Sequence, residues 1–148
     1  MITRRTVVPA DAAQLSVLSD FLREFGSAAA LAPAQVGTFA LALEEIFMNI
    51  VMHGSRPGST PAVEVSLCQA DGSITMTVED DGPEFDPLSL PPPDVTAGLL
   101  DRRVGGLGVF LVRKIMDNVS YARITGRNQL CMSKRLDGHP RAAEGKIA

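Results

Sequence analysis

The stretch Leu41-Ala42-Leu43-Glu44-Glu45-Ile46-Phe47-Met48-Asn49-Ile50-Val51-Met52-His53-Gly54 constrains this chain more than any other. At 100° per residue, Phe39, Leu43, Ile46, Phe47 and Ile50 share one helical face. Leu41, Met48 and Met52 make a second apolar strip nearly opposite. A helix apolar on two sides is expected to be buried on two sides, so the rest of the fold must wrap it. Glu45 and Asn49 lie one turn apart in the seam between the strips. An ionised carboxylate in such a seam needs a partner. Taken alone, the pair fits a structural hydrogen bond or a solvated edge. It also fits two oxygens aimed at a cation or a bound ligand.

The flanking chain reads in order. Residues 3–8 predict a first strand stopped by Pro9, and Asp11 with Gln14 has capping-box spacing. Leu15, Leu18, Leu22 and Phe25 then mark an apolar stripe on a helix closed by Gly26. The stripe reads as core, with a dimer seam as its other use. The central helix is expected over 34–52, with Gly54 as a left-handed C-terminal cap. Val63, Val65 and Leu67, then Ile74, Met76 and Val78, alternate with polar neighbours around Asp71-Gly72, which predicts a β-hairpin. Segment 88–104 holds Pro91-Pro92-Pro93, Gly98, Arg102 and Arg103, and its length suits a lid or binding loop. Gly105-Gly106-Leu107-Gly108 opens another helix, with Leu107, Phe110, Leu111 and Ile115 expected on its core face. Residues 118–124 and 129–136 predict two further strands around Gly126-Arg127-Asn128. These elements make one domain over 1–136, with a polar, disordered tail over 137–148.

Composition removes several function classes. A net charge of −3 and a pI near 5.3 leave no basic stripe for direct nucleic-acid binding. No signal-peptide pattern follows the N-terminus, and no unbroken run of eighteen apolar residues points to a membrane. Cys68 and Cys131 lack CxxC spacing, and with two histidines in all a structural zinc site is not expected. A reduced, cytoplasmic protein is the expectation.

Two short motifs remain. Asp80-Asp81-Gly82 at the end of the hairpin is a common turn sequence. A carboxylate there can also accept a purine's amine, and a glycine lets the base approach the backbone. In Gly105-Gly106-Leu107-Gly108, small residues leave N–H groups uncovered at a helix start, where the dipole favours a phosphate. Neither GxGxxG after a strand nor GxxxxGK[ST] is present, which excludes Rossmann and P-loop sites.

The order of these parts resembles the Bergerat ATP-binding fold of the GHKL ATPases, which include gyrase, MutL and the histidine kinases. Within that superfamily, residues 43–54, 78–87 and 105–112 continuing to Asn118-Val119 resemble the three boxes of the anti-sigma factor serine kinases. The resemblance implies an α+β sandwich, with a mixed, mostly antiparallel sheet and helices on one face. It implies ATP and Mg²⁺ as cofactors. Asn49 would hold the metal and Glu45 would be the general base. Asp80 would accept the adenine amine, with Gly82 beneath the ring. Gly106, Leu107 and Gly108 would form the phosphate-facing turn, and Gly105 the hinge of the lid. Arg102 or Arg103 could reach the γ-phosphate, and Asp86 would shape the second box rather than touch ligand. The family's Thr or Ser beside the adenine-site carboxylate would be replaced by Cys131, a weaker donor.

By the same resemblance the chain is expected to be a serine/threonine protein kinase. Its substrate would be a STAS-domain anti-sigma factor antagonist, and it would exchange that partner for a sigma factor, as a homodimer. Two alternatives stand beside this: an ATP-gated binding module with little transfer, and a histidine-kinase-type catalytic domain.

Overall fold

The computed structural model describes residues 1–54, 56–89 and 106–136. Five strands form a sheet of order β1-β2-β3-β5-β4, built from β1 (Ile2–Pro9), β2 (Ala62–Ala70), β3 (Ser73–Asp80), β4 (Asn118–Ile124) and β5 (Arg127–Arg135). Every pairing among them is antiparallel. Among the described residues, three helices, α1 (Leu15–Ala28), α2 (Pro33–His53) and α3 (Gly106–Ile115), accompany the sheet in the α+β arrangement expected. Gly105, the lid residues from Leu90 through Val104, with Arg102 and Arg103, and the tail 137–148 lie outside the described residues.

The sheet's two faces follow from alternation. Val63, Val65, Leu67, Ile74, Met76, Val78, Leu130 and Met132 are buried in one core with Phe39, Leu43, Ile46, Phe47 and Ile50 of α2. Their sequence neighbours Glu64, Ser66, Cys68, Thr75, Thr77, Glu79, Gln129 and Cys131 are half-buried on the other face. The period of two thus assigns mostly polar side chains to the other face, with Ala62 and Ala70 at the ends of β2 as small apolar members of it. The β2–β3 hairpin turns on Asp71 and Gly72, both at positive φ (53° and 77°), as a tight two-residue turn requires.

Several boundaries differ from expectation, each for a local reason. Gly26 does not end α1. It lies inside the helix where a Cβ would come 2.6 Å from Val36 Cγ2, so its role is to let α1 and α2 approach. The helix ends instead in a Schellman motif, with Leu31 N–H donating to Gly26 O (2.9 Å) and Ala30 N–H to Ser27 O (3.2 Å). Ala30 takes the left-handed position at φ 55°, a conformation that costs an L-residue about 1–2 kcal/mol. Asp11 caps a single 3-10 turn, Ala12–Gln14, by accepting from Ala13 N–H, rather than capping α1 directly. On α2, Pro33 opens the first turn, and Gln35 Oε1 accepts from Ala32 N–H at 2.7 Å. Gly54 is not left-handed (φ −95°); its N–H continues the helix ladder to Ile50 O.

The second apolar strip of α2 is only partly covered. Met48 packs on the core, whereas Leu41 and Met52 are 40% and 49% exposed. The core face of α3 is likewise rotated from expectation: Val109, Val112 and Met116 are buried, and Leu107 is 38% exposed. By length and mean hydropathy (1.3 over its most apolar window) α2 would also qualify to cross a membrane. Here that apolarity fills the core.

Candidate functional site

The central helix, the end of β3 and the start of α3 meet on the helix side of the sheet. A pocket there is lined by Ile46, Asn49 and Ile50 of α2, Val78 and Asp80 of β3, and Phe85 and Pro87 of the following loop. Tyr121 of β4 and Asn128 and Leu130 of β5 complete it. Its enclosed volume is about 20 Å³, against the roughly 300 Å³ or more of an open ligand cleft, so a purine could enter only if Phe85 and Pro87 moved outward. Phe85 stacks on His53, with ring centroids 5.3 Å apart, and that contact holds the loop against the end of α2.

At one end of the pocket stands Asn49, 4% exposed, whose Nδ2 has no hydrogen-bond partner among the described residues. Of the readings open to the pair, a hydrogen bond from Asn49 Nδ2 to Glu45 is not formed. A buried polar group left unpaired costs about 1–3 kcal/mol, so the amide has bonding capacity that the described residues do not fill. Its nitrogen and oxygen exchange places by a flip, and either can face the pocket. One turn earlier, Glu45 is half-buried and its carboxylate rests against Gly108 near the start of α3. A Cβ at Gly108 would overlap Glu45 Oε1, which explains a glycine inside this helix. Gly106 begins α3, where the first N–H groups have no partner within the helix.

At the other end, Asp80 is 4% exposed and its Oδ1 accepts from Gly82 N–H (2.9 Å) and Asn128 Nδ2 (3.0 Å). Among the described residues no donor reaches Oδ2. The two carboxylates of Asp80-Asp81 do different work, since Asp81 Oδ1 accepts from Ala62 N–H at the start of β2. Gly82 is not among the pocket-lining residues. Its smallness is required because a Cβ would come 2.5 Å from the Gly54 carbonyl oxygen. Asp86 accepts from Leu88 N–H and shapes the turn Pro87–Ser89, as expected of it.

Cys131 is not beside Asp80. It lies on the opposite, polar face of the sheet, where its sulfur accepts from Thr77 Oγ1 at 3.8 Å. The residue facing Asp80 across the β3–β5 ladder is Asn128, which the sequence reading had placed in a turn. The turn is one residue earlier, at Thr125 and Gly126 (φ 53° and 76°), so Asn128 shares the inward register of Leu130 and Met132. That period of two was the available signal: Asn128, Leu130 and Met132 alternate with Arg127, Gln129 and Cys131. Tyr121 and Arg123 of β4, also unforeseen, converge on the same amide.

With this arrangement in place, the description "Histidine kinase-like ATPase domain" matches residues 8–134. The chain belongs to that family. Its sheet, its helices and the order of its three boxes are those of the GHKL ATPases that the sequence resembles. The ATPase domain is also 32% identical over 96 residues to a serine/threonine-protein kinase, BtrW, of Bordetella bronchiseptica, covering 65% of this chain and 68% of that one. An ATPase domain implies ATP as ligand, and the pocket bounded by α2, β3, β4 and β5 brings Asn49, Asp80 and Asn128 together.

Proposed function

We propose that this ATPase domain binds ATP with its base at Asp80 and its phosphates between Asn49 and the start of α3. It would then transfer the γ-phosphoryl group to a serine or threonine hydroxyl of a protein partner. The observation that carries the reading is the buried, unpaired amide of Asn49 in the same pocket as a carboxylate with one uncommitted oxygen. The name of the similar Bordetella protein supports the substrate class.

The roles follow from position. Asp80 Oδ2 takes the base's amine, and the α3 start with Gly106 and Gly108 offers backbone N–H groups to the phosphates. Glu45, against Gly108, is placed to accept the proton of an incoming hydroxyl as the general base. Among the described residues no cluster of three or more His, Cys, Asp or Glu could cage a metal. That suits Mg²⁺, which commonly takes few protein oxygens beside substrate phosphates, and Asn49 would supply one. When bound, such a cation neutralises phosphate charge. Orienting the phosphates and placing the hydroxyl remain tasks of the chain itself.

The partner is proposed to be a STAS-domain anti-sigma factor antagonist, with a sigma factor as the alternate partner and a homodimer as the working form. Cys131, a weaker donor than the Thr or Ser it was matched to, lies on the open face and so gives no support to a non-transferring, ATP-gated binder. ATP titration by calorimetry, with and without Mg²⁺, tests the site, followed by transfer of labelled γ-phosphate to a serine-bearing STAS-domain protein. Binding that needs Mg²⁺ and fails in Asn49→Ala, and transfer that fails in Glu45→Ala, are expected. Wild-type protein that binds ATP yet phosphorylates no hydroxyl would overturn the kinase reading.

A further inference from the structure

Resting on the nucleotide site proposed above, we infer that Asn128 is a positioning residue that sets purine selectivity by fixing which oxygen of Asp80 a base can reach. Asn128 is 6% exposed, and both atoms of its amide are fully committed. Nδ2 donates to Asp80 Oδ1 (3.0 Å) and to Pro83 O (2.8 Å). Its Oδ1 accepts from Tyr121 OH (2.6 Å), Arg123 NH1 (3.1 Å) and Phe85 N–H (3.2 Å). Three donors on one atom and two acceptors on the other permit one orientation only. A flipped amide would set oxygen against oxygen at Asp80 and Pro83, and N–H against N–H at Arg123 and Phe85.

The consequence falls on Asp80. Its Oδ1 already holds the Asn128 donor and the Gly82 N–H, which leaves Oδ2 for a ligand. A carboxylate oxygen accepts and has no proton to give. Adenine presents an amine there, whereas guanine presents a carbonyl oxygen at the same ring position. A serine or threonine hydroxyl in place of Asn128 could rotate and accept as readily as donate, relaxing the constraint. The amide with five partners cannot. Arg123 tightens the arrangement further, because the same NH1 also donates to Gly82 O at 2.9 Å and ties the turn after Asp80 to the amide.

The test uses the full chain and two nucleotides that differ only in the amine: ATP and purine riboside triphosphate. Their dissociation constants are measured for wild type and Asn128→Ala, which makes a cycle between one ligand group and one side chain. Wild type is expected to prefer ATP at least about tenfold, the worth of one hydrogen bond to a charged group. Asn128→Ala is expected to reduce that preference below about threefold while binding of purine riboside triphosphate changes little. Equal loss of both nucleotides would overturn the inference, since Asn128 would then only support the fold. Tyr121→Phe, which removes one donor to the amide and leaves the ring in place, guards against collapse of the alanine variant. It should lower the preference for ATP about two- to threefold with an unchanged melting temperature, and an unaltered preference there would also overturn the idea. Absence of nucleotide binding by wild type would overturn the site reading itself, a result that no Asn128 variant can mimic.

Discussion

The two ends of the pocket are finished to different degrees. At the base end, Asp80 Oδ1, the Asn128 amide, Tyr121 OH and one Arg123 nitrogen are all paired within the chain. At the proposed phosphate end, Asn49 Nδ2 is buried with no partner among the described residues, and a carboxylate is pressed against a helix start. A network satisfied in the free protein is rigid and selects; a group left unsatisfied holds free energy that a ligand can release. In the proposed site, base recognition would thus draw on the pairing already formed between Asp80 and Asn128, and phosphate recognition would be completed by what binds.

The largest expected effect is at the phosphate end. Gly108→Ala should push the Glu45 carboxylate aside without unfolding α3, because only the far end of a side chain is in the way. Phosphoryl transfer should fall on the order of a hundredfold, as displaced catalytic groups commonly cost, while ATP affinity and melting temperature stay close to wild type. A variant that transfers at the wild-type rate would remove Glu45 from the chemistry. Next comes Asn49→Leu, which replaces the unpaired amide by an apolar group of similar size. It should stabilise the nucleotide-free protein by about 1–3 kcal/mol in urea unfolding and abolish the stabilisation that ATP confers. Loss of stability in the free state would mean that the amide is satisfied after all, and the contrast between the ends would disappear.

Smaller effects sharpen the comparison. Ala30→Gly, remote from both ends, should add about 1 kcal/mol by relieving the left-handed alanine, without changing nucleotide affinity. The base wall is also braced on the sheet's open face, where Glu79 accepts from Gln129 Nε2 (2.8 Å) and Arg127 Nε (3.1 Å). The Gln129 bond, outweighing burial and aided by Arg127, holds the Glu79 carboxyl below its ordinary value. A lowered folded value means that stability is present above the unfolded pKa and lost as pH falls through the folded one. Acid unfolding below about pH 4.5 should therefore be less steep in Glu79→Gln, by under about 1 kcal/mol for so exposed a pair. An unchanged acid limb would make this brace irrelevant to the wall.

Much of the molecule was legible in the sequence because burial imposes periodicity. Strands β2 and β3, their Asp-Gly turn, α2 and the start of α3 follow from spacing and turn chemistry. Ordered motifs gave the family. What escaped were details set by contacts distant in sequence. Gly26, Gly54 and Gly82 read as caps or ligand clearances, yet Gly26 and Gly82 are small because Val36 and the Gly54 carbonyl come close. Asn128 escaped because the turn was drawn over Gly126-Arg127-Asn128 instead of Thr125-Gly126; Cys131 was matched to the family's Thr or Ser by position along the last strand, without regard to which face of the sheet it occupies.

The approach of Gly82 to the Gly54 carbonyl has a mechanical side. Two backbones in direct contact have no compliant side chain between them, so the turn after Asp80 is braced directly on the end of the helix that carries Glu45 and Asn49. A side chain at Gly82 would wedge the two apart, one at Gly54 would run into the Ile50 carbonyl oxygen, and the fold tolerates neither.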